Sequence, residues 1–76
     1  MPHIIVKLWP GKSEPRKRKL AEEIAKAVMD TLNCGEDSVS VGFEEVAAKD
    51  WMAKVYAPDI RAKPGTIYKK PGYTSV

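Results

Sequence analysis

The run Pro2-His3-Ile4-Ile5-Val6-Lys7-Leu8-Trp9 constrains this chain most, because it is a nearly continuous stretch of β-branched, apolar and aromatic residues cut off by Pro10-Gly11. A run of that kind reads as a strand covered on both faces. Alternation sends Ile4, Val6 and Leu8 to one face and His3, Ile5, Lys7 and Trp9 to the other. Such a strand needs a neighbour in its sheet and a layer of apolar residues on each side.

The next segments supply one of those layers. Ser13 reads as a helix cap, with Pro15 tolerated in the first turn, where its missing N–H would be unsatisfied anyway. Leu20, Ile24, Ala27, Val28 and Leu32 then recur at helical spacing and predict a helix to about Leu32 with one buried stripe. Asn33 and Gly35 tolerate the left-handed conformation that ends a helix. A second strand is predicted over Ser38 to Val46, where Val39, Val41 and Phe43 alternate with Ser38, Ser40 and Gly42. Strand, helix, strand closes by a right-handed crossover with parallel strands and the helix on one face. The other face, carrying Ile5 and Trp9, stays bare and calls for a partner subunit. Asp50 is expected to cap a short helix holding Trp51, Met52 and Val55, ended by Pro58. The tail reads as a turn at Lys63-Pro64-Gly65, a short strand at Thr66-Ile67-Tyr68, and a second turn at Lys70-Pro71-Gly72. The class is α+β in one domain over residues 1–76.

At 76 residues a single core supplies little more than about 3–5 kcal/mol. Cys34 has no second cysteine to pair with, and His3 is the only histidine, so neither a disulfide nor a zinc site is in view. Oligomerisation is the remaining support. No apolar run suggests a membrane span and no signal peptide is read, so a cytoplasmic, reducing location is expected, which suits Cys34. The net charge of +3 and the cluster Lys12, Arg16, Lys17, Arg18, Lys19 invite a nucleic-acid reading. Glu14, Glu22 and Glu23 dilute the cluster, and a solvated helix face explains it better than nucleic acid; the same field would draw an anionic small molecule.

Pro2 stands directly after Met1. If Met1 is removed, Pro2 carries a free secondary amine at the head of an apolar strand. Desolvation there lowers the pKa from the roughly 7.7–8.0 of an α-amino group and yields a base partly unprotonated at neutral pH.

The pattern resembles the 4-oxalocrotonate tautomerase family. The resemblance rests on Met1-Pro2 leading into a strand, Gly11-Lys12-Ser13 opening the helix and Asp37-Ser38-Val39-Ser40-Val41 in the second strand. Trp51 and Tyr68-Lys69-Lys70-Pro71-Gly72-Tyr73 extend it to the longer bacterial branch, known as dimers rather than hexamers. The resemblance implies a β-α-β subunit completed by oligomerisation, no cofactor, and Pro2 as catalytic base. The family's first substrate-binding arginine is replaced by Lys12, a point charge without the bidentate fork. Its second aligns with Ser40, which removes a cation, and its pocket-wall aromatic aligns with Trp51. Phe43 either helps that wall or belongs to the core. His3 reads as structural or as a second acid, Cys34 as an incidental thiol, and Lys69 and Lys70 as solvated or as replacement cations. The expected activity is keto–enol tautomerisation of a 2-oxo acid or related enol, favouring an arylpyruvate-like monocarboxylate. Dehalogenation, hydration or imine formation on the same fold, and a non-catalytic polyanion-binding module, are the alternatives.

Overall fold

The apolar run does become a strand, β1 (His3–Leu8), and it pairs in parallel with β2 (Ser40–Glu45) in the computed structural model, which describes residues 1–75. The register sets His3 opposite Ser40, Ile4 opposite Val41, Ile5 opposite Gly42, Val6 opposite Phe43, Lys7 opposite Glu44 and Leu8 opposite Glu45. Facing residues share a side of the sheet. Ile4, Val6, Val41 and Phe43 therefore line one face, and His3, Ile5, Ser40 and Gly42 the other.

Between the strands runs α1 (Glu14–Leu32). The Ser13 hydroxyl accepts from the Arg16 backbone N–H at 3.3 Å, and Pro15 sits in the first turn, so both start signals act as the sequence predicts. Asn33 ends the helix at φ 55°, ψ 55°, the left-handed conformation that an asparagine tolerates. Lys17 ties the helix to the sheet: its ammonium lies 3.1 Å from Glu45 and 3.2 Å from Glu14. The buried stripe is narrower than its periodicity implies. Ala21, Ile24, Ala25 and Val28 are half-buried, whereas Leu20, Ala27 and Leu32 are exposed. The half-buried side of α1 thus runs through the small Ala21 and Ala25, and the bulkier Leu20 and Leu32 lie outside it.

After β2 the chain departs from expectation three times. A single helical turn, Ala48–Asp50, leads through Trp51 into α2 (Met52–Arg61), and Asp50 does not cap it; its carboxylate lies 3.6 Å from the Lys54 ammonium instead. Pro58 lies inside α2 rather than ending it. The helix is wound wide, with the Ala62 N–H donating to the Ala57 carbonyl five residues back. A wider turn carries the carbonyl four residues back away from the proline ring, which removes the clash that ends an ordinary α-helix. The tail forms no strand either. Thr66 and Ile67 donate back to Lys63 and Pro64 in a single turn, Pro64–Thr66, so the two-stranded sheet gains no third member. With the Thr66 and Ile67 N–H groups spent inside the turn, these two residues have none free for a ladder.

α2 and the tail hold to each other and to the end of β1. Lys7 forms an ion pair with Asp59, Trp51 Nε1 donates to the Tyr73 hydroxyl at 2.8 Å, and the Tyr56 and Tyr73 rings lie 5.7 Å apart. Val55, 5% exposed, is the one buried apolar residue among those described. Ile5 and Trp9 remain 48% and 47% exposed on the open face. Among the described residues no helix is long and apolar enough to cross a membrane.

Candidate active site

The residues singled out from the sequence fall into two groups at opposite ends of β1. Pro2 is half-buried at the head of the strand, and its carbonyl accepts from the Ser40 backbone N–H at 3.2 Å. Met1 before it is fully exposed. Next to Pro2, His3 Nδ1 and Ser40 Oγ lie 2.6 Å apart. Pro2, His3 and Ser40 thus form one constellation at this end of the sheet, with His3 and Ser40 on its open side.

The second group gathers about 20 Å away, the length of a six-residue strand. Gly11, at φ 115°, turns the chain out of β1 in a conformation suited to glycine, and Lys12 follows it, exposed on the loop before α1. Trp51 and Tyr73 border a cleft with Lys7, Leu8 and Trp9 at this same end. One chain alone therefore does not bring Pro2 together with Lys12 or Trp51. Phe43 belongs to neither group, since it shares the helix-facing side of the sheet with Val6 and Val41.

Charge is distributed just as unevenly. In the two strands the charged side chains, Lys7, Glu44 and Glu45, all lie at the far end from Pro2. Lys7 is held above the ordinary lysine value by its hydrogen bond to Asp59, helped by the charges of Asp59 and Glu44 and opposed by partial desolvation. Lys17 is raised in the same way by Glu45 and Glu14. Lys19 lies 3.5 Å from Glu23. Two of the five cations in the basic cluster are thus paired with carboxylates, which weakens the field that a polyanion would need.

Cys34 is half-buried, its thiol 4.0 Å from the Val28 carbonyl. Lys70 lines a cavity of about 230 Å³ with Tyr56, Ile60, Arg61 and Ile67, and Lys69 is exposed. No group of three or more histidine, cysteine, aspartate or glutamate side chains is placed to hold a metal among the described residues. Sequence reasoning did not find the pairing of His3 with Ser40 or that of Trp51 with Tyr73. Alternation within each strand separates His3 from Ile4 and Ser40 from Val41, but the first pairing also needs the register between the strands; the second depends on how the tail folds back.

Residues 2–57 match the family model described as tautomerase enzyme. A probable tautomerase of Xylella fastidiosa is 47% identical over 73 residues, spanning 96% of this chain and 89% of the relative. Tautomerase PptA of Pectobacterium carotovorum is 40% identical over 75 residues, spanning 97% and 99%. Among solved structures, TomN, a 4-oxalocrotonate tautomerase homologue of the tomaymycin biosynthetic pathway, superposes with a TM-score of 0.63 at 32% identity, over 66% of this chain and 77% of that one. Family match, near full-length relatives and the shared parallel β-α-β fold agree, and the chain belongs to the tautomerase family and is a tautomerase enzyme.

Proposed function

We propose that this tautomerase interconverts the enol and keto forms of a 2-oxo acid, an arylpyruvate-like monocarboxylate, with the Pro2 nitrogen as general base after removal of Met1. The observation that carries the reading is Pro2 itself. It is half-buried at the head of β1, bonded through its carbonyl to Ser40, preceded by a fully exposed Met1, and is the first residue of the family match. With Met1 attached, the nitrogen is a tertiary amide without useful basicity. Without it, the nitrogen is a secondary amine whose protonated form is disfavoured by the apolar strand and by whatever closes over it.

The amine lone pair takes the proton of the enol hydroxyl. The O–H electron pair becomes the C2 carbonyl, the carbon–carbon double bond delivers its pair to C3, and C3 takes the proton back from the prolinium, which regenerates the base. A positioned acid–base group contributes about 10²–10⁴-fold to such a step. Lys12 holds the carboxylate as a point charge, and Trp51 excludes water and keeps the amine neutral. Because both stand about 20 Å from Pro2 of their own chain, they act on Pro2 of a second copy, and the pocket is completed where two copies meet. A homodimer is the favoured assembly over a hexamer. With Lys7 at that end already paired to Asp59, the one cation assigned to substrate, Lys12, suits one carboxylate rather than two.

The test is Pro2→Ala on protein whose mass confirms loss of Met1. Ketonisation of phenylenolpyruvate is expected to fall by about 10²-fold or more with the fold intact by circular dichroism. Unchanged rates would sink the assignment of the base, and so would retention of Met1 on active protein.

A further inference from the structure

The Pro2 end of the open face holds no lysine or arginine on either strand, and His3 is its only titratable side chain. Its imidazole is held in place by its surroundings. The parallel register brings Ser40 opposite, with Oγ 2.6 Å from Nδ1. Two positions along β2 stands Gly42, and a Cβ built there would meet His3 Cε1 at 3.9 Å, so the ring lies along the strand above a residue that has no side chain. Pro2 is fixed to the same unit by the Ser40 N–H. A hydroxyl that donates to Nδ1 leaves the imidazole proton on Nε2. In that tautomer Nε2–H is left free at the Pro2 end of the strand, where His3 is exposed.

We infer that His3 is a substrate-binding residue of the Pro2 site, its Nε2–H donating to the enolate oxygen at C2 of the 2-oxo acid, and that Ser40 is the positioning residue that fixes the imidazole tautomer. The inference rests on the reading of Pro2 as base. It gives the developing negative charge a preorganised donor next to the group that removes the proton, in a region that has no cation of its own. It also gives Ser40 a role that needs no direct contact with substrate. The ordinary Cβ distance at Gly42 leaves room for a small side chain but not for a bulky one without displacing the ring.

The experiment measures phenylenolpyruvate ketonisation for Pro2→Ala, His3→Leu, His3→Gln, Ser40→Ala and Ser40→Thr side by side. It is combined with ¹⁵N NMR of the imidazole, which is unambiguous because His3 is the sole histidine. His3→Leu is expected to lower kcat about 10- to 100-fold with a smaller change in KM, and His3→Gln, which keeps an N–H donor, to recover part of the loss. Ser40→Ala is expected to cost about 3- to 10-fold, the scale of one neutral hydrogen bond, and to mix the tautomers; Ser40→Thr restores both rate and tautomer. His3→Leu at wild-type kcat, alongside a dead Pro2→Ala, overturns the inference and leaves Pro2 standing. An active Pro2→Ala overturns the base and the inference together. A spectrum with the proton on Nδ1 in the wild type overturns the role of Ser40.

Discussion

Lys7 and Asp59 make the most legible pH-dependent contact in the molecule. Lys7 is raised above its ordinary value near 10.5 by that carboxylate. A group whose pKa rises on folding stabilises fully below its unfolded value and loses that contribution as pH climbs through the higher folded one. Lys7→Gln should therefore lower Tm by a constant amount at neutral pH, and the gap to wild type should close above about pH 10.5; thermal melts at several alkaline pH values read it directly. Burial gives a second residue-scale expectation. Val55 is 5% exposed, so Val55→Ala should cost about 1–2 kcal/mol in urea unfolding, from lost transfer energy and a partly collapsed cavity. At this scale the sequence was informative about chemistry and less so about partners. The candidates Pro2 and Lys12 are proposed from type and position alone, whereas the His3–Ser40 bond joins residues far apart in the chain and exists only once the register is set.

The helix α1 shows what local signals decide. Ser13, Pro15 and Asn33 each act through a single turn of backbone, and each behaves in the structure as its chemistry dictates. Ser13→Ala removes the side-chain acceptor for the Arg16 N–H and should cost about 0.5–1 kcal/mol. At the other end, Asn33→Val places a β-branched residue at φ 55° and should cost about 1–2 kcal/mol, whereas Asn33→Gly should be neutral or stabilising; denaturant midpoints of the three variants check the pattern. β1 was equally legible, because its alternation and the Pro10-Gly11 that follows it are local facts; β2 begins at Ser40 rather than Ser38, because Glu36–Ser38 is taken up by a single helical turn. α2 and the tail were not. Pro58 stops an ordinary α-helix, but α2 is wound wide enough to accept it, and that choice is made by the packing of Val55 and the Lys7–Asp59 and Trp51–Tyr73 contacts rather than by propensity. Thr66-Ile67-Tyr68 has strand composition, but the turn claims the N–H groups of Thr66 and Ile67 first.

As a whole the subunit is a plate, 37 × 31 × 18 Å, with a radius of gyration of 13.9 Å where a compact chain of this length has about 11 Å. It exposes 5957 Å², against about 4,600 Å² for a typical folded monomer of 8.4 kDa. The surplus agrees with the exposed Ile5, Trp9, Leu20 and Leu32, and it is the amount of surface that an interface between subunits would remove. The expectation of a partner was legible from size and from the bare sheet face; the separation of Pro2 from Lys12 and Trp51 was not, because it follows from the length of β1 and the end of the sheet on which α2 settles. The most direct test of the account mixes two inactive chains, Pro2→Ala and Lys12→Ala, after brief unfolding and refolding together. If Pro2 works with Lys12 of another copy, each mixed dimer carries one intact site and one doubly broken site, so the mixture should recover about a quarter of wild-type phenylenolpyruvate tautomerase activity. A mixture no more active than its two parents would contradict the account.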